Sequence, residues 1–204
     1  MMQIAYSEAA ERNKHPILEK LQPLLATCKS VLEIGSGTGQ HAVYFAHAIP
    51  HLKWQPTELP ENLPQLCAQC RQYPSDNLAA PIALDINDVQ WPATQPDAVF
   101  SANILHIIHW PLVCRFFVQV GKLLPKNGIC CTYGPFNLNG RYTSESNAQF
   151  DNWLKCRDPE SGIRDLADLR CQAEKCGLLL QEDDQMPANN RMIVWRKFSP
   201  VEPE

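Results

Sequence analysis

Three glycines at alternate positions, Gly35, Gly37 and Gly39, lie in the stretch Val31-Leu-Glu-Ile-Gly-Ser-Gly-Thr-Gly39, and an acid, Glu33, stands just before them. Glycine lets a backbone turn sharply and approach a ligand closely. A helix opening behind such a loop adds a partial positive charge at its N-terminus, which favours a negative group. Ligands of two classes use this arrangement. A dinucleotide site has the spacing GxGxxG, which would place the third glycine at position 40, but that position is Gln40. The spacing here is GxGxG, preceded by an acid. Further groups with chemical potential follow: Glu58, Asp85-Ile86, Asn103, and the histidines His106 and His109.

The elements that must carry these residues are legible from apolar patterning. Residues 7–26 read as a helix, with Ile17, Leu18, Leu21, Leu24 and Leu25 at helical spacing. Ser30 to Ile34 is a short apolar run ending at the glycines, so it reads as a buried strand. A helix is expected over 40–48, a second strand over Leu52–Thr57 ending near Glu58, and a helix over 61–73. Ala80 to Leu84 reads as a third strand ending at Asp85, and Pro96 to Ala102 as a fourth. A helix over 111–123 is closed by Pro125 and Gly128, and a fifth strand runs from Gly128 to Tyr133. Helices over 144–156 and 165–175 precede two final strands, Leu178–Glu182 and Met192–Phe198. Alternation of strands with short helices implies βαβ crossovers and a mostly parallel sheet. The last two strands, joined by Asp184 to Asn190, read as an antiparallel hairpin. The expected fold is therefore α/β, doubly wound and seven-stranded, as one domain over 1–198 with a flexible tail over 199–204. In such sheets ligands bind outside the carboxyl ends of the strands, at the switch point.

The segment Val31–Gly39 closely resembles the first motif of class I S-adenosylmethionine (SAM) methyltransferases. That resemblance implies a Rossmann-like methyltransferase fold with SAM as cofactor, held by Glu33, Gly35, Ser36, Gly37 and Gly39. SAM carries no phosphate, so the loop has no pyrophosphate to wrap, and an acid beside it can meet the ligand's ammonium directly or through water. Glu58 would accept hydrogen bonds from both ribose hydroxyls, Asp85 with Ile86 would meet the adenine, and Asn103 would face the ligand from the other side of the switch point. Longer stretches are similar to the methyltransferase-like 26 group: Glu11-Arg-Asn-Lys-His-Pro-Ile-Leu18, Tyr142 to Asn147, Phe150-Asp151, Arg157-Asp-Pro159, Gly162 to Asp165 and Met186 to Asn190. The likeness spans nearly the whole chain. It places Arg12 and Asn13 over the methionine end of SAM and assigns no acceptor. NAD is the competing cofactor, since Glu58 could hold its ribose. Gln40 and the lack of a Tyr-x-x-x-Lys pair weigh against it, and a Walker A loop is absent.

Methyl transfer from a sulfonium needs positioning and exclusion of water more than it needs a base. Where the acceptor must lose a proton, His106 is the candidate base, with His109 second. Position 103 opens Asn-Ile-Leu-His106 rather than the Asn/Asp-Pro-Pro-Tyr/Phe of many amino-methyltransferases, which disfavours that subclass. A polar insertion over 134–165 supplies Tyr142, Asn147, Phe150, Arg164 and Asp165 as acceptor-pocket or lid residues. A SAM or S-adenosylhomocysteine (SAH) binding protein without catalysis is the alternative from another class.

Composition bounds the rest. The 204 residues carry 18 Lys plus Arg against 22 Asp plus Glu, a net charge of -4. That excludes strong whole-surface attraction to nucleic acid or anionic membrane. No stretch approaches the roughly 18 apolar residues of a membrane-spanning helix, and the start lacks the pattern of a secretory signal. Nine cysteines without an export signal read as buried or partly buried free thiols in a reducing compartment. Cys67-Ala-Gln-Cys70 falls inside a helical stretch, so it reads neither as a thioredoxin-type site nor, lacking a matching second pair, as a zinc site; no metal is expected. The expectation is a soluble cytoplasmic protein with a small-molecule substrate.

Overall fold

A computed structural model describes residues 6–92 and 95–198. The tail expected over 199–204 lies outside the described residues. Seven strands form one mixed sheet in the order β3-β2-β1-β4-β5-β7-β6. The chain divides into two compact units, one ending at Ser101 and the other beginning at Ala102.

The first unit contains α1 (Glu8–Leu24), β1 (Ser30–Glu33), α2 (Gln40–Ala48), β2 (Lys53–Glu58), α3 (Leu63–Gln72), β3 (Ile82–Ala83) and most of β4 (Ala98–Ala102). Ser7 caps α1, its hydroxyl accepting from the Ala10 N–H, and Glu8 and Glu11 place negative charge in the first turn. Ile17 and Leu21 are the fully buried residues of that helix. β1 pairs in parallel with β2 and with β4, and β2 with β3. β1 thus lies where the strand order reverses, and its carboxyl end opens into the glycine loop. The core beneath is aromatic: Phe45, Trp54 and Phe100 meet with ring centroids 5.4–5.9 Å apart. The third strand is shorter than expected, two residues rather than five: the Leu84 N–H still donates to Glu58 O on β2, but the next residue, Asp85, turns its N–H to Asp88 Oδ2 in a local turn.

The second unit contains α4 (Trp110–Leu123), β5 (Ile129–Gly134), α5 (Glu145–Arg157), α6 (Leu166–Lys175), β6 (Leu178–Met186) and β7 (Asn190–Lys197). β7 runs antiparallel to both β5 and β6. The expected link over 184–190 is tighter than read. β6 continues to Met186, and a three-residue turn, Pro187–Asn189, connects it to β7 with Ala188 and Asn189 left-handed. The polar run Gln181 to Gln185 hid this extension, since an edge strand exposes such residues without penalty. Phe116, Phe117 and Trp195 form the core, and the Trp195 indole donates to Thr132 Oγ1 at 3.0 Å.

None of the nine cysteines is in a disulfide; Cys156 and Cys171 are exposed, where the sequence predicts buried or partly buried thiols. Cys70 is buried on α3, and burial pushes its thiol up to about 12. Among the described residues no cluster of His, Cys, Asp and Glu could hold a metal ion, and no helix is long and apolar enough to cross a membrane.

Candidate functional site

In the first unit Gly35, Gly37 and Gly39 all adopt left-handed backbone, with φ of 72°, 55° and 78°. Only glycine takes such values without strain, which is the physical content of the alternating spacing. The three differ in surroundings. A Cβ on Gly39 would lie 2.8 Å from Leu66 Cδ1, so α3 packs directly on the end of the loop. Among the described residues a Cβ on Gly37 would meet nothing within 4 Å, so the loop there faces open space. Ser36 is buried, and its hydroxyl accepts from the Thr57 N–H, stitching the loop to β2.

Glu58 ends β2 with its side chain turned to the loop. Its Oε2 accepts from the Gly37 N–H at 2.6 Å, and its Oε1 accepts from the Leu59 N–H at 2.9 Å. The loop and the acid are therefore one structure. Glu33 does something else. It is buried, its carboxyl accepts from the Trp54 indole N–H at 2.8 Å, and burial pushes its pKa up to about 7. The acid that opens the motif sits in the core beneath the loop. Asp85 accepts from the Asn87 N–H at 2.7 Å in a turn after β3, and Ile86 beside it is buried.

The start of α2 is tied to α1. Gln40 Oε1 accepts from the Ser7 N–H at 2.6 Å and from the Thr38 hydroxyl at 3.0 Å, while Nε2 donates to Glu11. Asn13 Oδ1 lies 2.6 Å from His41 Nε2. Burial pulls His41 down to about 4, so the ring is neutral at pH 7. The side chain expected over a ligand thus has a protein partner. Arg12 lies on the exposed face, paired with Glu8.

In the second unit Asn103 follows β4 with φ of 61°, unusual for a residue with a side chain. Its N–H donates to Tyr133 O. Asn103 Oδ1 and His106 Nδ1 both lie 3.6 Å from the point where a Cβ on Gly134 would stand, so the missing side chain leaves two polar atoms converging on one spot. His106 is 5% exposed, meets the Phe150 ring edge to face at 5.3 Å, and is pulled down to about 4 by burial, with the Arg164 charge adding to the effect. It is neutral at pH 7. His109 lies at the surface in a 2.8 Å pair with Asp158.

Four consecutive carbonyls of the turn that carries His106 are held by one segment. Leu105 O takes the Arg164 Nε–H, His106 O the Gly162 N–H, Ile107 O the Ser161 hydroxyl and Ile108 O an Arg164 Nη–H. Arg164, expected in the acceptor pocket, serves as this clamp, and it also borders an open depression of about 480 Å³ with Trp110, Asn137, Asp165 and Asp168. Asp151 anchors the segment. Only 1% exposed, it accepts from the Ile163 N–H, the Tyr142 hydroxyl and Lys155 at 2.6–2.7 Å. Burial would raise its pKa, and these three bonds more than offset that, holding the carboxyl below its ordinary value. Asn147 is buried and donates to Thr143 Oγ1 and Asn189 O. Phe150 stacks on Trp153.

Sequence reasoning missed Asp151, Gly134, Ser161 and His41 as organising residues. Asp151 falls within a stretch that carried the family likeness; Gly134, Ser161 and His41 carried no signal, because their partners are distant in sequence.

The sheet order, the three left-handed glycines closing on a strand-end acid and the antiparallel last strands define the fold of class I SAM-dependent methyltransferases. Solved structures with this fold include an O-methyltransferase family protein from Burkholderia thailandensis, with a TM-score of 0.82 and 13% identity over 94% of this chain and 58% of that one. Human N-acetylserotonin methyltransferase, solved in complex with SAM, gives 0.80 and 14% over 94% and 53%. The SAM-dependent methyltransferase SibL, solved in its apo form, gives 0.79 and 19% over 94% and 56%. The chain spans somewhat over half the length of these proteins. By its own sequence, residues 4–197 match the family described as protein of unknown function (DUF938), and the chain belongs to that family.

Proposed function

We propose that this chain is a SAM-dependent methyltransferase acting on a small molecule, a reading in keeping with its resemblance to the methyltransferase-like 26 group. The observation that carries it is the glycine loop closed onto Glu58, with open space at Gly37. That combination fits an adenosine ligand. A ribose is served by a strand-end carboxylate, and the backbone at Gly37 leaves room for close approach. Gly35, Ser36, Gly37 and Gly39 would line the ligand, Glu58 would take the ribose hydroxyls, and Asp85 with Ile86 would border the adenine. Glu33 supports the loop from the core.

SAM, when bound, supplies an electrophilic methyl on a sulfonium; the acceptor's lone pair forms the new bond, and the electron pair of the broken carbon–sulfur bond stays on sulfur, giving SAH. The chain's own task is positioning. Asn103 Oδ1 and His106 Nδ1 converge beside Gly134 and would orient an acceptor there. A neutral His106 has a lone pair for the acceptor's proton. The clamp from residues 161–164 fixes that turn, in line with the close geometric control such reactions need.

The test is transfer of label from methyl-labelled SAM to the small-molecule fraction of a cell extract. Wild type should label a product, and His106→Ala should lose about 10²–10⁴-fold in rate while binding SAH unchanged. Binding without any labelled product would instead support a sensor, a reading favoured by the internal partners of Tyr142, Asn147 and Arg164, which leave few free polar groups for an acceptor.

A further inference from the structure

Gln40 breaks the dinucleotide spacing, and its side chain is placed with unusual care for a residue at the first position of a helix. It is 9% exposed and has three partners, two of them at the start of α1: the capping Ser7 and Glu11. His41 bonds Asn13, and the Tyr44 hydroxyl lies 2.8 Å from His15 Nδ1, so the start of α2 is fastened to α1 at three points. In dinucleotide-binding folds the pyrophosphate rests on this helix N-terminus. Here α1 is drawn there, together with the Glu11 carboxylate, which the Lys14 hydrogen bond holds below its ordinary pKa. Lys14 offsets most of that charge, so the effect is one of occupancy more than repulsion.

We infer that Gln40 is a specificity-determining residue: by holding α1 against the start of α2 it makes the glycine loop accept adenosine ligands without phosphate and refuse those carrying a diphosphate. This rests on the reading of the loop as a SAM site. Glu58 would serve the ribose in either ligand class, so discrimination must come from the helix end.

The test is calorimetric titration of the full chain with SAH, adenosine and ADP. The ADP-to-adenosine affinity ratio isolates the phosphates and does not respond to a general loss of stability. Wild type should bind SAH and should bind ADP more weakly than adenosine. Gln40→Gly, which restores GxGxxG, should raise the ratio at least about tenfold. If that variant does not fold, Glu11→Ala, which cuts the same latch from the face of α1, should raise it about threefold. A ratio unchanged in the folded variant overturns the role of Gln40 and leaves the SAM site standing. Failure of wild type to bind SAH overturns both.

Discussion

Removing the Glu58 carboxylate should weaken SAM and SAH binding by about 1.5–3 kcal/mol, the scale of hydrogen bonds to a charged group, or roughly 10- to 150-fold in Kd. The magnitude follows from the acceptor count. A carboxylate offers about four lone-pair sites. Gly37 N–H and Leu59 N–H hold one each at 2.6 and 2.9 Å, and Asn62 holds a third through a long 3.4 Å contact. Among the described residues one site is open, and a second is released when the weak Asn62 contact gives way, which matches the two hydroxyls of a ribose. Glu58→Ala deletes both and also orphans the Gly37 N–H, so the loss sits toward the upper end of the range. Glu58→Gln, keeping one acceptor, should lose less. The assay is calorimetric titration of SAH into each variant, with circular dichroism confirming the fold. A folded Glu58→Ala within about threefold of wild type, well under the effect of one charged hydrogen bond, would refute the reasoning and move the ribose elsewhere.

Gly37→Val should abolish SAH binding in titration, because its side chain enters the open space beside the loop; unchanged affinity in a folded variant would remove the loop from the site. It also strains the backbone by about 1–3 kcal/mol at φ of 55°. Glu33, at about 7 when folded against an ordinary value near 4.5, holds a proton that the unfolded chain has released, so its contribution to stability falls as pH rises from about 4.5 to 7. Glu33→Gln should therefore gain on wild type by about 3 kcal/mol across that window in urea unfolding, and a constant difference between pH 5 and 8 would contradict the assignment. Arg164→Ala should lower the melting temperature by about 4–12 °C, since it strips two carbonyls of the His106 turn of charged donors at about 1.5–3 kcal/mol each, discounted for solvent and relaxation; no change would mean that the clamp contributes nothing.

The fold was legible because its determinants are local. Runs such as Val31-Leu32 and Val99-Phe100 are buried strands whose ends are marked by glycine or acid, and α2 was bounded correctly by Gly39 before it and Ile49 after it. The two departures, the short β3 and the long β6, both involve sheet edges: exposure removed the apolar signal from the polar end of β6, while the apolar run over 80–84 gave a strand signal longer than the two residues that pair. The site divides the same way. The loop and Glu58 share one neighbourhood, β1–loop–α2–β2, and the likeness of the loop to the class I methyltransferase motif put both at one ligand. The partners of Asn13, Arg164 and Asn147 are contacts between residues far apart in the chain, and no spacing encodes that Arg164 turns to the carbonyls of Leu105 and Ile108. Glu33 shows the limit of motif reading. Its place in the motif implied a ligand contact, while its burial on Trp54 makes it a core residue of the loop's foundation.

The central claim is that the glycine loop and Glu58 bind SAM, and a thermal-shift measurement with SAM, SAH and NADH in parallel tests it most directly. A ligand at 100 times its Kd stabilises by roughly 2.7 kcal/mol, which for a chain of this length is about 5–11 °C. The account predicts that shift with SAM and with SAH and none with NADH. A shift with NADH alone, or none with any of the three, would contradict it.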